Sequence, residues 1–291
     1  MVGFQNLIST GGGGGPFDIS NFTPINSYSF SSVTGSDTYG GIWSTNGLHY
    51  YVTSSSGTKG VYQFDASTAW DVTSLSYSGN YNELSPTQFI ANHQPIEISN
   101  DGVYFWSDRR DWNGSSFTCG TFRWTLSTPY DISTAGSRIN FYTSGNNQGL
   151  LSQKWYNDGS YYHVQYGANM HRVFSCPTPY SLTGATTLSN GQITQSANDV
   201  TMTPDGLFYC WVDYSSNNDN MTFYQFPLTT PFDLDTRTTT TNFTYSRLDL
   251  PSPPSNVRNP HGIQISPDGT KAYYLSSNGR VLVEFDTNAV F

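Results

Sequence analysis

Hydrophobic and polar positions alternate along this chain in short runs broken by tight-turn dipeptides, most clearly near the C-terminus. Ile263-Gln264-Ile265-Ser266 alternates as one strand, Asp268-Gly269 supplies a turn, and Ala272-Tyr273-Tyr274-Leu275 returns. Asn278-Gly279 turns again, and Val281-Leu282-Val283-Glu284-Phe285 makes a third strand. A period of two marks strands, and Asp-Gly or Asn-Gly accepts the positive φ of a tight hairpin. The turn signal recurs at Asn46-Gly47, Asp101-Gly102, Asp158-Gly159 and Asp205-Gly206, each ahead of strand aromatics such as Tyr50-Tyr51 or Tyr104-Phe105-Trp106. These side chains therefore read as turn residues. No stretch keeps an apolar stripe at helical spacing among good helix formers, so the elements expected are strands.

A second landmark follows each turn. Phe64, Trp124, Phe174, Phe226 and Phe285 are followed six positions later by Trp70, Tyr130, Tyr180, Phe232 and Phe291. These partners stand 60, 50, 52 and 59 residues apart, the length of a four-stranded propeller blade. The last copy stops at Phe291, and its continuation is found at the other end, where Pro16-Phe17-Asp18-Ile19-Ser20 matches Pro129-Tyr130-Asp131-Ile132-Ser133 and Pro231-Phe232-Asp233-Leu234. A repeat cut at one end and completed at the other predicts a ring. The fold class expected is all-β: a five-bladed β-propeller with four antiparallel strands per blade, closed by an N-terminal strand pairing with the C-terminal blade. The blades fall at 39–80, 94–143, 150–190 and 198–245, with a composite fifth of 260–291 plus 17–33. Residues 16–291 form one domain, and residues 1–15 are a docking tail with a glycine linker.

The Ser/Thr-Pro-Asp-Gly turns resemble those of other bacterial and viral propeller repeats. The turn Thr128-Pro129-Tyr130-Asp131-Ile132-Ser133, altered at Thr68-Ala69-Trp70-Asp71-Val72-Thr73, resembles repeats in structural proteins of tailed bacteriophages. That resemblance implies a virion structural protein, a capsid decoration or tail component, made in the host cytoplasm and built into the particle. Tyr180-Ser181-Leu182 lacks the Asp, which marks the motif as a structural turn and not a reaction centre.

Composition narrows the picture. A net charge of −9 offers no basic field to neutralise phosphates, so neither nucleic acid nor an anionic membrane surface is an expected partner. No apolar run approaches the roughly 20 residues that cross a bilayer. The start Met1-Val2-Gly3-Phe4-Gln5-Asn6 lacks a signal peptide's positive end and apolar core, so a cytosolic origin is expected. Cys119, Cys176 and Cys210 form no metal-ligand spacing and read as buried thiols. The five histidines are scattered without HxH or HExxH spacing, and no phosphate loop or nucleophile elbow occurs. No cofactor or metal is expected.

In such a ring, the loops joining the second and third strands share an upper face with the blade-to-blade connections, and the Asp-Gly turns lie below. The upper loops carry Arg109, Arg110 and Trp112 in the second blade and Tyr214 and Asn217 in the fourth, with Arg258 between the fourth and fifth. Rings next to amides, carboxylates and guanidinium groups match sugars, and equally match a protein interface. Host-surface glycan or a neighbouring subunit is the partner expected there. Gln94, Asn198 and His261, seven residues before their turn aspartates, are expected to rim the channel, where water, a cation or a small ligand would sit. Val2, Phe4, Leu7 and Ile8 are expected to dock residues 1–10 onto another virion protein. A free carbohydrate-binding lectin is the alternative. A glycoside hydrolase comes third: that chemistry needs two facing carboxylates, and Glu97 with Asp199 is the best pair on inner strands, without a supporting third residue.

Overall fold

A computed structural model describes residues 17–34, 38–54, 60–83, 95–112, 117–143, 150–166, 169–192, 197–212, 219–250 and 252–288; for 109–112 and 117–119 it describes the backbone alone. Its strands form five sheets, each of four antiparallel strands. The first blade holds β2 (Thr38–Trp43), β3 (His49–Ser54), β4 (Gly60–Ala66) and β5 (Leu75–Asn82). The second holds β6 (Ile96–Ile98), β7 (Tyr104–Trp112), β8 (Phe117–Thr125) and β9 (Ile139–Thr143). The third holds β10 (Leu150–Tyr156), β11 (Tyr161–Tyr166), β12 (Met170–Ser175) and β13 (Thr186–Gln192), and the fourth β14 (Asp199–Met202), β15 (Phe208–Val212), β16 (Asn220–Pro227) and β17 (Thr241–Ser246). The fifth combines β18 (Pro260–Ile265), β19 (Lys271–Ser276) and β20 (Val281–Asp286) with β1 (Thr23–Ser29). The sequence-based limits agree with these to within a few residues. The first strands β2, β6, β10, β14 and β18 touch one another around the ring, which places them at the channel.

Closure is as expected. β1 pairs with β20 from Thr23 opposite Asp286 to Ser29 opposite Val281. Asn288 Nδ2 donates to Asn21 O at 2.7 Å and to Thr23 Oγ1 at 3.0 Å, tying the two ends of the chain together. Phe22 packs on Phe285 and Phe223, so the composite blade shares one apolar core with the fourth.

The repeated turns explain why these sequences stop and reverse where they do. In four blades a Ser or Thr two residues before the turn Asx, namely Ser44, Ser99, Thr203 and Ser266, donates to the Asx oxygen and accepts the N–H that begins the next strand. The third blade differs. Tyr156 stands at that position, and Asn157, Asp158 and Gly159 all take positive φ. Asp158-Gly159, read from sequence as the same turn, is a different one, because the Tyr156 hydroxyl, at the far end of a ring, cannot hold the turn as a Ser or Thr hydroxyl does.

Past the third strand, each aromatic of the spaced pair packs over the turn glycine of its own blade: Trp70 over Gly47, Tyr130 over Gly102, Tyr180 over Gly159 and Phe232 over Gly206. All four take φ between 58° and 65°, a conformation bulky residues rarely adopt, and donate their N–H to that glycine's carbonyl. The following Asp, where present, caps a short helical turn, as Asp131 does for Ile132–Thr134. In the fifth blade Phe291, the expected counterpart of these aromatics, lies outside the described residues; the Thr287 hydroxyl donates to Gly269 O at 2.6 Å. No helix among the described residues is long and apolar enough to cross a membrane.

Candidate functional site

The residues four positions before the turn Asn or Asp are Ile42, Glu97, Lys154, Thr201 and Gln264, and those three before are Trp43, Ile98, Trp155, Met202 and Ile265. All ten line one cavity of about 220 Å³ at the turn-face mouth of the channel. Inner strands of neighbouring blades are not paired with one another, so their N–H groups need other acceptors. Side chains of this ring supply them. Gln264 accepts from Trp43 N at 2.7 Å and donates back to Trp43 O at 3.2 Å, joining the fifth blade to the first. Glu97 accepts from its neighbour Ile98 N at 3.0 Å and from Trp155 N in the third blade at 3.4 Å. Ile42, in the first blade, has no acceptor to give to Ile98, and Glu97 covers that need itself.

Asp199 stands two residues before Thr201 and makes the link from the fourth blade to the fifth, accepting from Ile263 N at 2.8 Å. Lys154 Nζ lies 3.7 Å from Asp199 Oδ2, with both side chains almost wholly buried. Burial pushes the Glu97 carboxyl up to about 7 against the pull of the Lys154 ammonium, and raises Asp199 in the same way. The channel carboxylates expected from sequence are therefore in place, but they serve as blade-to-blade acceptors. Lys154 is the charged neighbour that sequence reading missed; its signal is the count of four residues back from Asp158.

A polar seam continues outward between the third and fourth blades. His163 Nε2 is 3.2 Å from His171 Nδ1, and the Tyr209 hydroxyl is 2.7 Å from the same His171 nitrogen. Both histidines are fully buried. Burial, helped by the Lys154 ammonium, lowers His163 to about 3; burial and then His163 hold His171 well below its ordinary value. The pair is neutral at physiological pH. Among the described residues, no group of three His, Cys, Asp or Glu side chains is placed to hold a metal ion.

The residues singled out from sequence fall unevenly. Asn198 and His261 stand at the start of their inner strands, at the end of the channel away from the Asp-Gly turns, each 8% exposed; the His261 ring packs on Tyr39 at 5.0 Å. Arg258 is exposed on the connection between the fourth and fifth blades, its carbonyl accepting from Ser276 Oγ at 2.8 Å. Arg109, Arg110 and Trp112 belong to the paired end of β7, where the backbone alone is described. Gln94, Tyr214, Asn217 and the tail residues Val2, Phe4, Leu7 and Ile8 lie outside the described residues. Cys176 and Cys210 are free and buried, as expected of packed thiols; the Cys119 side chain also lies outside.

No family model matches the chain, and no curated protein is similar to it in sequence. Solved structures share its fold. The PQQ domain of pyranose dehydrogenase from Coprinopsis cinerea superposes with a TM-score of 0.50 at 12% identity, over 91% of this chain and 95% of that one. The β-propeller domain of Cps50 (Swd1) from Myceliophteria thermophila gives 0.44 at 7% identity, over 90% and 99%. Hydrazine synthase of Kuenenia stuttgartiensis gives 0.39 at 14% identity over 81% of this chain, which spans only 55% of that longer one. At such identities the likeness shows the β-propeller architecture alone.

Proposed function

We propose that the chain is a structural and adhesive component of a bacteriophage particle, in the capsid decoration or the tail. Residues 1–10 anchor it, and the face opposite the Asp-Gly turns meets host-surface glycan or a neighbouring subunit. The observation that carries the structural part is the use made of the buried acids. Glu97, Asp199 and Glu284 each accept a backbone N–H from the next blade. A carboxylate held this way is a fixed joint in a rigid ring; a hydrolase needs two acids facing one bond, and of the inner-strand pair Glu97 lines the channel-mouth cavity while Asp199 does not. The virion assignment rests on the resemblance of the turn sequences to repeats of bacteriophage structural proteins.

Immunogold electron microscopy of whole particles is the deciding experiment, with incorporation of a chain lacking residues 1–10 measured alongside. Label on the particle and loss of incorporation by the shortened chain are expected. An unlabelled particle, with isolated protein that binds glycan at about one site per blade, would establish the lectin reading instead. Turnover of glycosides that vanishes in a folded Glu97→Gln variant would establish the hydrolase.

A further inference from the structure

The cavity at the turn-face mouth holds an ammonium group with no hydrogen bond to any of the described residues. Lys154 is 5% exposed, yet among the described residues its Nζ has no hydrogen-bond partner, and the nearest carboxylate oxygen, on Asp199, is 3.7 Å away. Asp199 is itself occupied by Ile263 N. A lysine carries three donors, and a buried polar group without a partner costs about 1–3 kcal/mol, more when charged. Lys154 lines the cavity, so the free space in front of it is where a partner belongs. Glu97 lines the same space, and each of its oxygens, having accepted one N–H, keeps a lone pair. Trp155, half-buried, adds the edge or face of an indole ring.

We propose that this cavity binds a small neutral molecule rich in hydroxyl groups, a polyol or a single sugar residue, through one oxygen accepting from Lys154 and one hydroxyl donating to Glu97. Both signs of charge in one small space select for neutrality. A cation would meet the Lys154 ammonium, and an anion would meet the lining acids Glu97 and Asp158, whereas a hydroxyl both donates and accepts. The volume equals about seven waters at roughly 30 Å³ each, room for a monosaccharide-sized guest with its C–H face against Trp155. The site lies on the Asp-Gly turn face, away from the upper loops, and does not depend on the virion assignment.

Titration calorimetry and saturation-transfer NMR of the intact protein test this, with glycerol, glucose, galactose, mannose and N-acetylglucosamine as hydroxylated probes and choline, acetate and sulfate as charged ones. Saturable binding of at least one hydroxylated probe is expected, with a dissociation constant on the order of millimolar or tighter. Loss of a hydrogen bond to a charged group corresponds to about tenfold or more in affinity, the drop expected in Lys154→Met. Asn100→Arg, an exposed substitution at the cavity mouth that exchanges the Asn100 amide's hydrogen bond to Asp158 for an ion pair with it and leaves the inner strands untouched, is expected to weaken binding comparably, and decides the matter if Lys154→Met does not fold. Absence of saturable binding by every hydroxylated probe, preference for a charged one, or undiminished binding in Asn100→Arg would overturn the inference.

Discussion

At the residue scale, the strongest constraint is the contact between a turn glycine and an aromatic held in a left-handed conformation. A Cβ on Gly102 would stand 2.6 Å from the Tyr130 ring, on a backbone with φ of +71°. Gly102→Ala is therefore expected to cost about 1–3 kcal/mol or more, read as a lowered denaturant midpoint. Gly79 is the control: its φ is +87° with nothing within 4 Å, so Gly79→Ala meets only the backbone penalty of about 1–2 kcal/mol. Equal losses at the two sites would refute the close packing. The buried histidines make a second claim at this scale. His163, native at about 3, refuses the proton that the unfolded chain accepts below its ordinary 6.5, and His171 is depressed likewise. Their contribution is complete above pH 6.5 and is lost as pH falls toward 3, by up to about 1.4 kcal/mol per pH unit for each. Glu97 runs the other way: raised from 4.5 to about 7, it contributes below 4.5, and that contribution is lost as pH rises through 7. Melting temperatures between pH 8 and 4 should fall less on acidification in the double variant His163→Gln, His171→Gln than in wild type. In Glu97→Gln they should fall more. Parallel profiles for all three proteins would dismiss both assignments.

At the scale of elements, the blades are joined by side-chain acceptors placed one residue before the aromatic of the third strand. Gln63 accepts from Ile132 N at 3.1 Å, Gln225 from Ile19 N at 3.1 Å and Glu284 from Val72 N at 3.2 Å, each reaching the next blade. Arg123 and Val173 occupy the corresponding places in the second and third blades and offer no acceptor. Gln225→Leu should cost about 1–3 kcal/mol by orphaning the buried Ile19 N–H, whereas Gln225→Glu keeps an oxygen there and should cost less. Equal losses in urea melts would show that packing, and not the hydrogen bond, joins these blades. The blades themselves were legible in sequence because their signals are local: a turn dipeptide needs only its own φ, and six-residue spacing lies within one loop. The joints were not legible, since Glu97 meets Trp155 58 residues on and Gln264 meets Trp43 221 residues back. The ring position that supplies them holds Ile, Glu, Lys, Thr and Gln in turn, so it carries no repeated residue to catch the eye. The changed turn at Asn157 and Asp158 escaped for a related reason: the dipeptide is the same, and only Tyr156 in place of a Ser or Thr sets it apart.

For the whole molecule, everything depends on the ring being shut by a strand from the opposite end of the chain. β1 is held by its ladder to β20 and by apolar groups that reach both ways. Phe17, Ile19 and Phe22 join the core shared by the fourth and fifth blades, and Phe30, just beyond the strand, stacks on Tyr50 of the first at 5.6 Å. Burying four such side chains is worth about 1.5–3 kcal/mol each, which together rivals the 5–15 kcal/mol of net stability typical of a folded protein. It would also leave β20 as an open edge if lost, an invitation to pairing between molecules. Removing residues 1–34 should therefore abolish the cooperative melt or produce aggregates. Removing residues 1–10 alone should leave the melting temperature unchanged, because β1 and its apolar anchors are retained. Adding a peptide of residues 17–34 to the longer deletion should restore a monomeric, cooperatively melting protein by refilling the vacant edge. A deletion of 1–34 that melts like the intact chain would mean that the other strands hold the ring without this closure.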